Sequence, residues 1–76
     1  MNRQYKIEVT RLDESGGIVG LERTEYFENI EDTRKFYTEM KSYHYDNGRA
    51  MYSPKLYLLA YKYIENANAF FANWDA

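Results

Sequence analysis

Candidates for acid–base chemistry are scarce in this sequence. There is one histidine, His44, with Glu39 and Asp46 near it along the chain, and there is no cysteine. A lone histidine near a helix end more often packs or compensates the helix dipole than catalyses a reaction. No spacing typical of an activated nucleophile accompanies it, and a conventional zinc cluster needs more ligands. We therefore predict that the protein is not an enzyme and has no cofactor.

Carboxylates are concentrated between residues 22 and 32, where five acids accompany one base, although the whole chain has a net charge of only −2. Their spacing does not match an EF-hand loop, so no metal site is predicted. Two interpretations remain open, a solvated surface and an acidic surface that docks on a basic partner. The predicted partner-binding residues of this acidic segment are Glu22, Glu25, Glu28, Glu31 and Asp32.

Tyrosine is the unusual component, with nine copies in 76 residues. A tyrosine combines a large apolar ring with a polar tip, and such residues are enriched in interface cores. If residues 55–64 form a strand, three rings stand together on the face away from the helix. These predicted partner-binding residues are Tyr57, Tyr61 and Tyr63. The alternative is that they pack against the aromatic residues between positions 70 and 74.

Tyrosines interleaved with Arg49, Lys55 and Lys62 also suit the stacking of single-stranded bases. A nucleic-acid surface needs a basic groove for the phosphates, and three cations among several acids make a weak one. We therefore rank protein binding above direct nucleic-acid binding. A homodimer that buries the tyrosines against a second copy is the third alternative.

The elements that must position these side chains follow from hydrophobic periodicity. Residues 4–12 alternate as a half-buried strand, residues 13–17 supply a turn, and residues 18–27 are rich in β-branched and aromatic types, which predicts a β-hairpin. Asn29 can then cap a helix that begins at Ile30. Its apolar face recurs at three-and-four spacing as far as His44, and residues 45–48 are predicted to end it.

Residues 54–66 admit two structures. As a helix, Ser53 would be the cap and Pro54 the first helical position, which gives a ββαα order from about residue 54. As a strand over residues 55–64, they complete a ββαβ order. We favour the strand, because it covers an edge of the hairpin and widens the platform for the helix. A short helical turn holding Phe70, Phe71 and Trp74 is expected to follow.

The predicted fold class is thus α+β, in a single domain over residues 1–76, with a helix packed on one face of an antiparallel sheet. No stretch approaches the roughly 20 apolar residues that span a bilayer, and the first residues lack a signal-peptide pattern. We therefore expect no membrane association and a cytoplasmic location.

The order of hairpin, capped helix and aromatic third element, with TEYFENIED at residues 24–32 and RKFY at residues 34–37, resembles the small proteins encoded by bacteriophages and other mobile elements. Some members of that group resemble anti-CRISPR and other anti-defence proteins, which occupy a surface of a host nuclease or its guide complex. The resemblance implies a protein-binding inhibitor or adaptor in the host cell cytoplasm, with a nuclease or CRISPR effector as its partner. It carries over no functional residue.

Overall fold

A four-stranded antiparallel sheet organises the chain. The computed structural model describes residues 4–59 and 61–74. Its elements in chain order are β1 (Tyr5–Leu12), β2 (Ile18–Phe27), α1 (Ile30–Lys41), β3 (Tyr52–Leu58), β4 (Lys62–Ile64) and α2 (Ala67–Trp74). The strand order across the sheet is β2-β1-β3-β4. The predicted α+β class is therefore confirmed, and the predicted hairpin forms its first two strands.

Strand β1 lies inside the sheet and its alternating residues build the core. Ile7 and Val9 have no exposed surface, and Tyr5 is buried beside them. Leu56 of β3 pairs with Ile7 and points to the same side. These residues and those of the helices form one cluster: Tyr5, Ile7, Val9, Tyr37, Met40, Leu56, Ala67 and Phe71. Burial of this one face is the main source of stability in a chain with no disulfide.

Helix α1 begins as its sequence predicts. The Asn29 side chain accepts a hydrogen bond of 2.8 Å from the backbone N–H of Asp32, which satisfies one of the unpaired donors of the first turn. The predicted end at His44 is wrong, because α1 stops at Lys41. Both the backbone N–H and the hydroxyl of Ser42 donate to the Glu39 carbonyl, and these bonds close the last turn.

The predicted ββαβ order is incomplete, because residues 55–64 form two strands and not one. Strand β3 ends at Leu58, and Leu59 turns the chain in the left-handed region with a φ of 53°. The Leu59 N–H donates to the Gln4 carbonyl over 2.6 Å, and the Tyr61 N–H donates to Leu58. Strand β4 then returns along β3 over three residues. The sheet therefore has four strands.

The alternative helix from residue 54, with Pro54 as its first position, is wrong. Pro54 is a buried residue inside β3, opposite Val9 of β1. Strand β4 reaches only the segment from Leu56 to Leu58. Pro54 therefore lies where β3 has a partner strand on one side only, which is where a strand tolerates proline.

The predicted helical turn near the C-terminus is a full helix. The Asn66 side chain accepts from the backbone N–H of Ala69 at its start, and α2 then runs for eight residues. Phe71 is buried, and its ring meets Tyr37 of α1 edge-on with 5.4 Å between centroids. Both helices therefore lie on the same side of the sheet. Neither of them covers the opposite face.

The same substitution at a buried and at an exposed strand isoleucine should have different effects on stability. Ile7 is fully buried, whereas Ile18 is 78% exposed at the start of β2. Ile7→Val should lower the free energy of unfolding by about 0.5–1.5 kcal/mol through the lost methylene and the space it leaves. Ile18→Val should change it by less than about 0.5 kcal/mol. Urea unfolding followed by circular dichroism measures both, and equal losses would contradict the described core.

Candidate functional site

The sheet has a face that both helices leave uncovered. Successive side chains of a strand point to opposite faces, and paired residues of antiparallel strands share a face. Because Tyr5, Ile7 and Val9 face the helices, the residues between them face away. The strand registers extend this surface across the sheet. We call it the open face, and it carries Lys6, Glu8, Thr10, Leu21, Thr24, Tyr26, Lys55, Tyr57 and Tyr63.

One line of side chains crosses all four strands of the open face. Lys6 pairs with Tyr26 on one side and with Tyr57 on the other, and Tyr57 pairs with Tyr63. The rings of Tyr57 and Tyr63 have centroids 5.5 Å apart. The two outer rings, Tyr26 and Tyr63, are 44% and 49% exposed. These four residues, called here the aromatic row, form a line across the sheet with an exposed tyrosine at each end.

The cation of the aromatic row is paired with a neighbouring acid. The Lys6 ammonium lies 3.2 Å from the Glu8 carboxylate and 4.5 Å from the centre of the Tyr57 ring. Removal from water raises the pKa of Tyr57, and the charge of Glu8 and its polar interaction with the phenol raise it further. The aromatic row thus presents a neutral phenol and a cation whose charge is compensated.

The predicted tyrosines are only partly brought together. Tyr57 and Tyr63 are neighbours in the aromatic row, on the face away from α1. Tyr61 lies in the turn between β3 and β4, where it is 77% exposed, and it is not part of the row. The aromatic residues of α2 pack elsewhere, since Phe70 contacts Phe71 and Trp74.

The acidic segment borders the row and does not share its surface. Glu22 is exposed at an irregularity of β2, and Glu25 pairs with Ile7 in register, on the side of the helices. Arg23 approaches the Glu25 carboxylate to 2.7 Å. The remaining acids, Glu28, Glu31 and Asp32, are exposed in the loop after β2 and in the first turn of α1. They follow directly after the strand that carries Tyr26.

Lys6, Glu8 and Tyr26 of the open face were not predicted from the sequence as site residues. Lys6 and Glu8 were recognised only as polar positions of an alternating strand, and Tyr26 only as a residue that favours strands. The alternation of β1 does indicate that Lys6 faces away from the core. The pairing that places it between Tyr26 and Tyr57 depends on the strand register, which the sequence does not encode locally.

The edges of the sheet are poorly suited to pairing with another strand. Strand β2 is long, but its register with β1 shifts twice, between Val9 and Thr10 and between Arg11 and Leu12. Such irregularities twist an edge and interrupt its ladder, and the charges at Arg23 and Glu25 oppose pairing further. The opposite edge consists of the three residues of β4 and of the first part of β3, which β4 does not reach and which contains Pro54. The open face is therefore the part of the sheet best suited to contact a partner.

Two depressions lie away from the open face. One of about 420 Å³ separates the β1–β2 turn from the loop after α1, and its lining is Glu14, His44, Tyr45, Asp46, Asn47 and Met51. His44 uses its Nδ1 atom in a 3.0 Å contact with the Ser42 carbonyl. The other, of about 200 Å³, lies between α2 and the end of β3. Within residues 4–59 and 61–74, no three side chains are grouped to hold a metal ion.

Neither a protein-family model, nor a curated protein, nor a solved structure matches this chain. In the described part of the chain, neither helix is long and apolar enough to cross a membrane.

The contact between Glu8 and Tyr57 predicts a change in alkaline titration. The folded state raises the pKa of Tyr57 above its ordinary value of 10.0 and so favours the neutral phenol. This contribution to stability is present below pH 10 and is lost as the pH rises through the folded pKa. Glu8→Gln should shift the Tyr57 titration to lower pH, because the carboxylate charge is removed. NMR of the protein with labelled tyrosine rings, recorded as a function of pH, measures the pKa of Tyr57. The Tyr57→Phe variant identifies which signal belongs to Tyr57. An unchanged curve would contradict the described contact.

Proposed function

We propose that this protein is a protein-binding inhibitor or adaptor that docks its partner on the open face. The observation that supports this most is the aromatic row, which crosses all four strands on the side that neither helix covers. The solvated face of an antiparallel sheet is usually polar. Exposed rings at both ends of such a line, here Tyr26 and Tyr63, are instead typical of an interaction surface.

The chemistry of the row suits a protein partner. Tyrosines offer large contact areas with few rotatable bonds, and they are among the residues that dominate binding energy when they are buried in an interface. The cation of the row, Lys6, is compensated by Glu8 at 3.2 Å. Burying the pair therefore does not leave an isolated charge in the interface, which would be costly. Tyr26 and Tyr63 supply the exposed contact area.

The acidic segment supplies the second part of the proposal. Glu28 lies two residues beyond Tyr26, and Glu31 and Asp32 follow it at the start of α1. Exposed charges at the rim of an interface act mainly on the rate of association and on the choice of partner. A basic surface, such as the nucleic-acid site of a nuclease or a CRISPR effector in the host cytoplasm, is the partner that we propose for this rim.

Single-stranded nucleic acid is the second candidate ligand, and the aromatic row is the observation that favours it. Bases stack on exposed rings irrespective of sequence. Phosphates need cations as well, and the open face has two lysines, of which Lys6 is compensated by Glu8. A protein partner therefore fits the charge of the face better.

Capture from a nuclease-treated bacterial lysate tests the proposed function. The tagged protein should retain one stoichiometric protein, and Tyr26→Ala should lose it, because that ring forms one end of the aromatic row. Tyr43→Ala is the matched control, since Tyr43 is also 44% exposed but lies beyond the end of α1 and contacts Tyr52. Mass spectrometry identifies the retained protein.

Other results of the same experiment would overturn the proposal. Material that disappears on nuclease treatment would favour the nucleic-acid candidate. Recovery of this chain alone, with twice the monomer mass in light scattering, would favour a homodimer. Equal retention by Tyr26→Ala and Tyr43→Ala would show that the open face is not the contact surface.

Charge reversal tests the acidic segment separately. Glu28→Lys combined with Glu31→Lys should slow association severalfold and leave dissociation nearly unchanged, because rim charges act on encounter. Glu65→Lys is the control, since this exposed acid follows β4 on another part of the chain. Surface plasmon resonance with the captured partner, at low and at physiological salt, measures both rates. An equal effect of the control would remove the specific role of the acidic segment.

A further inference from the structure

The loop after α1 is fastened to the end of β1 and to the β1–β2 turn by three hydrogen bonds. The Tyr45 hydroxyl donates to the Leu12 carbonyl over 2.7 Å, and the Leu12 N–H donates to the Met51 carbonyl over 2.9 Å. The Asn47 carboxamide nitrogen donates to the Glu14 carbonyl over 2.8 Å. We call these three bonds the loop clamp. They hold together two segments that are far apart along the chain.

Within the clamp, the Asn47 side chain is bound at both of its polar atoms. Besides the bond to Glu14, its Oδ1 atom accepts from the backbone N–H of Arg49 over 2.9 Å. The N–H of the next residue, Gly48, donates to the Tyr45 carbonyl over 2.9 Å. Turning the carboxamide towards the Gly48 nitrogen would break the first two bonds, and freeing that nitrogen would break the third. The closed loop therefore keeps both groups engaged elsewhere.

Asn47 and Gly48 form a pair with an intrinsic chemical reactivity. Asparagine is one of the labile residues of proteins, and it reacts most readily when a glycine follows it. Of the six asparagines in the sequence, only Asn47 precedes a glycine. Both residues are exposed to water. The loop also needs this glycine, because Gly48 has a φ of 86°, a conformation that other residues rarely adopt.

The reaction available to this pair is deamidation. When the Gly48 nitrogen gives its proton to the solvent, it can attack the Cγ atom of Asn47. A new carbon–nitrogen bond closes a five-membered imide, and the carboxamide nitrogen leaves as ammonia. Water then opens the ring to aspartate or to isoaspartate. The whole conversion consumes one water, releases one ammonia and needs no oxidant or reductant.

From the reactivity of this pair and the bonds that hold it, we propose that Asn47 is a deamidation site whose rate is set by opening of the loop clamp. In the closed loop both reacting groups are engaged, so conversion proceeds from the molecules in which the loop has opened locally. The product has a carboxylate, which cannot donate to the Glu14 carbonyl. Conversion therefore removes one bond of the clamp and loosens its hold on the β1–β2 turn.

The site is separate from the surface of the proposed function. The clamp contacts the Leu12 end of β1, whereas the aromatic row crosses β1 at Lys6, near its other end. The inference therefore stands or falls independently of any partner of the open face.

Mass spectrometry of the full chain, incubated in mildly alkaline buffer, measures the conversion through the mass gain and through sequencing of the peptide that contains Asn47. The folded protein should convert Asn47 at least about tenfold more slowly than the same chain unfolded in urea, because the hydrogen bonds of the closed loop must break first. Asn68 is the internal control, since it is exposed in α2 and precedes an alanine. It should remain unconverted over the same period.

Two hydroxyl deletions test the clamp itself. Tyr45→Phe removes the bond to Leu12 and leaves the reactive pair unchanged, so it should speed the conversion of Asn47 severalfold. Tyr43→Phe is the matched control, since its hydroxyl contacts Glu39 over 3.4 Å and takes no part in the clamp. It should convert as the parent does. Circular dichroism verifies that both variants are folded, and the comparison of folded and unfolded parent does not depend on either.

The converted protein tests the release of the turn. It can be separated from the parent by its additional negative charge, and its ¹⁵N–¹H signals at residues 13–17 should shift while those of the core strands stay in place. Asn47→Asp should give the same shifts at the turn, because it also lacks the carboxamide donor.

Several outcomes would overturn the proposal. Equal rates in the folded and the unfolded chain, or equal acceleration by Tyr45→Phe and Tyr43→Phe, would show that the clamp does not control the reaction. Conversion spread over the other asparagines, or none at Asn47 even in urea, would remove the site. Unchanged signals of the turn after conversion would show that the turn is not released.

Discussion

The structure depends on how strand β1 divides its side chains between two faces. It pairs with β2 and β3, so its backbone is satisfied on both sides, and its odd-numbered residues from Tyr5 to Val9 are buried under the helices. A chain of 76 residues can form one core of this kind and little more. Both helices are needed to cover it. The even-numbered residues of β1 are consequently left on a face with no helix.

The open face is held in place by contacts within the sheet. The Lys6 ammonium lies beside both Glu8 and the Tyr57 ring, so its charge has a partner in the free protein. Tyr57 and Tyr63 also contact each other, which restrains these two rings. Side chains that are already ordered in the free protein lose less conformational entropy when a partner binds. The irregular β2 edge reduces the risk that the exposed rings lead to aggregation.

The sequence predicted those features that depend on neighbouring residues. The alternation of β1, the hairpin and the Asn29 cap need only short stretches of chain. The break between β3 and β4 was missed because Leu59 adopts a φ of 53°, a conformation usually marked by glycine or asparagine. The prediction that Tyr61 stands beside Tyr57 and Tyr63 on the open face is wrong for the same reason. The aromatic row was not predicted, since it depends on the register of three strand pairs.

The charged residues near the two ends of the row belong to different surfaces of the molecule. Glu28 is exposed directly after β2, whereas Glu31 lies in the first turn of α1, on the helix side of the sheet. Lys62 pairs with Leu58 and therefore also lies on the helix side, although the next residue, Tyr63, lies on the open face. In the proposed complex the row would therefore supply the contact area, and Glu28, which follows the strand that carries Tyr26, would act on association from the rim.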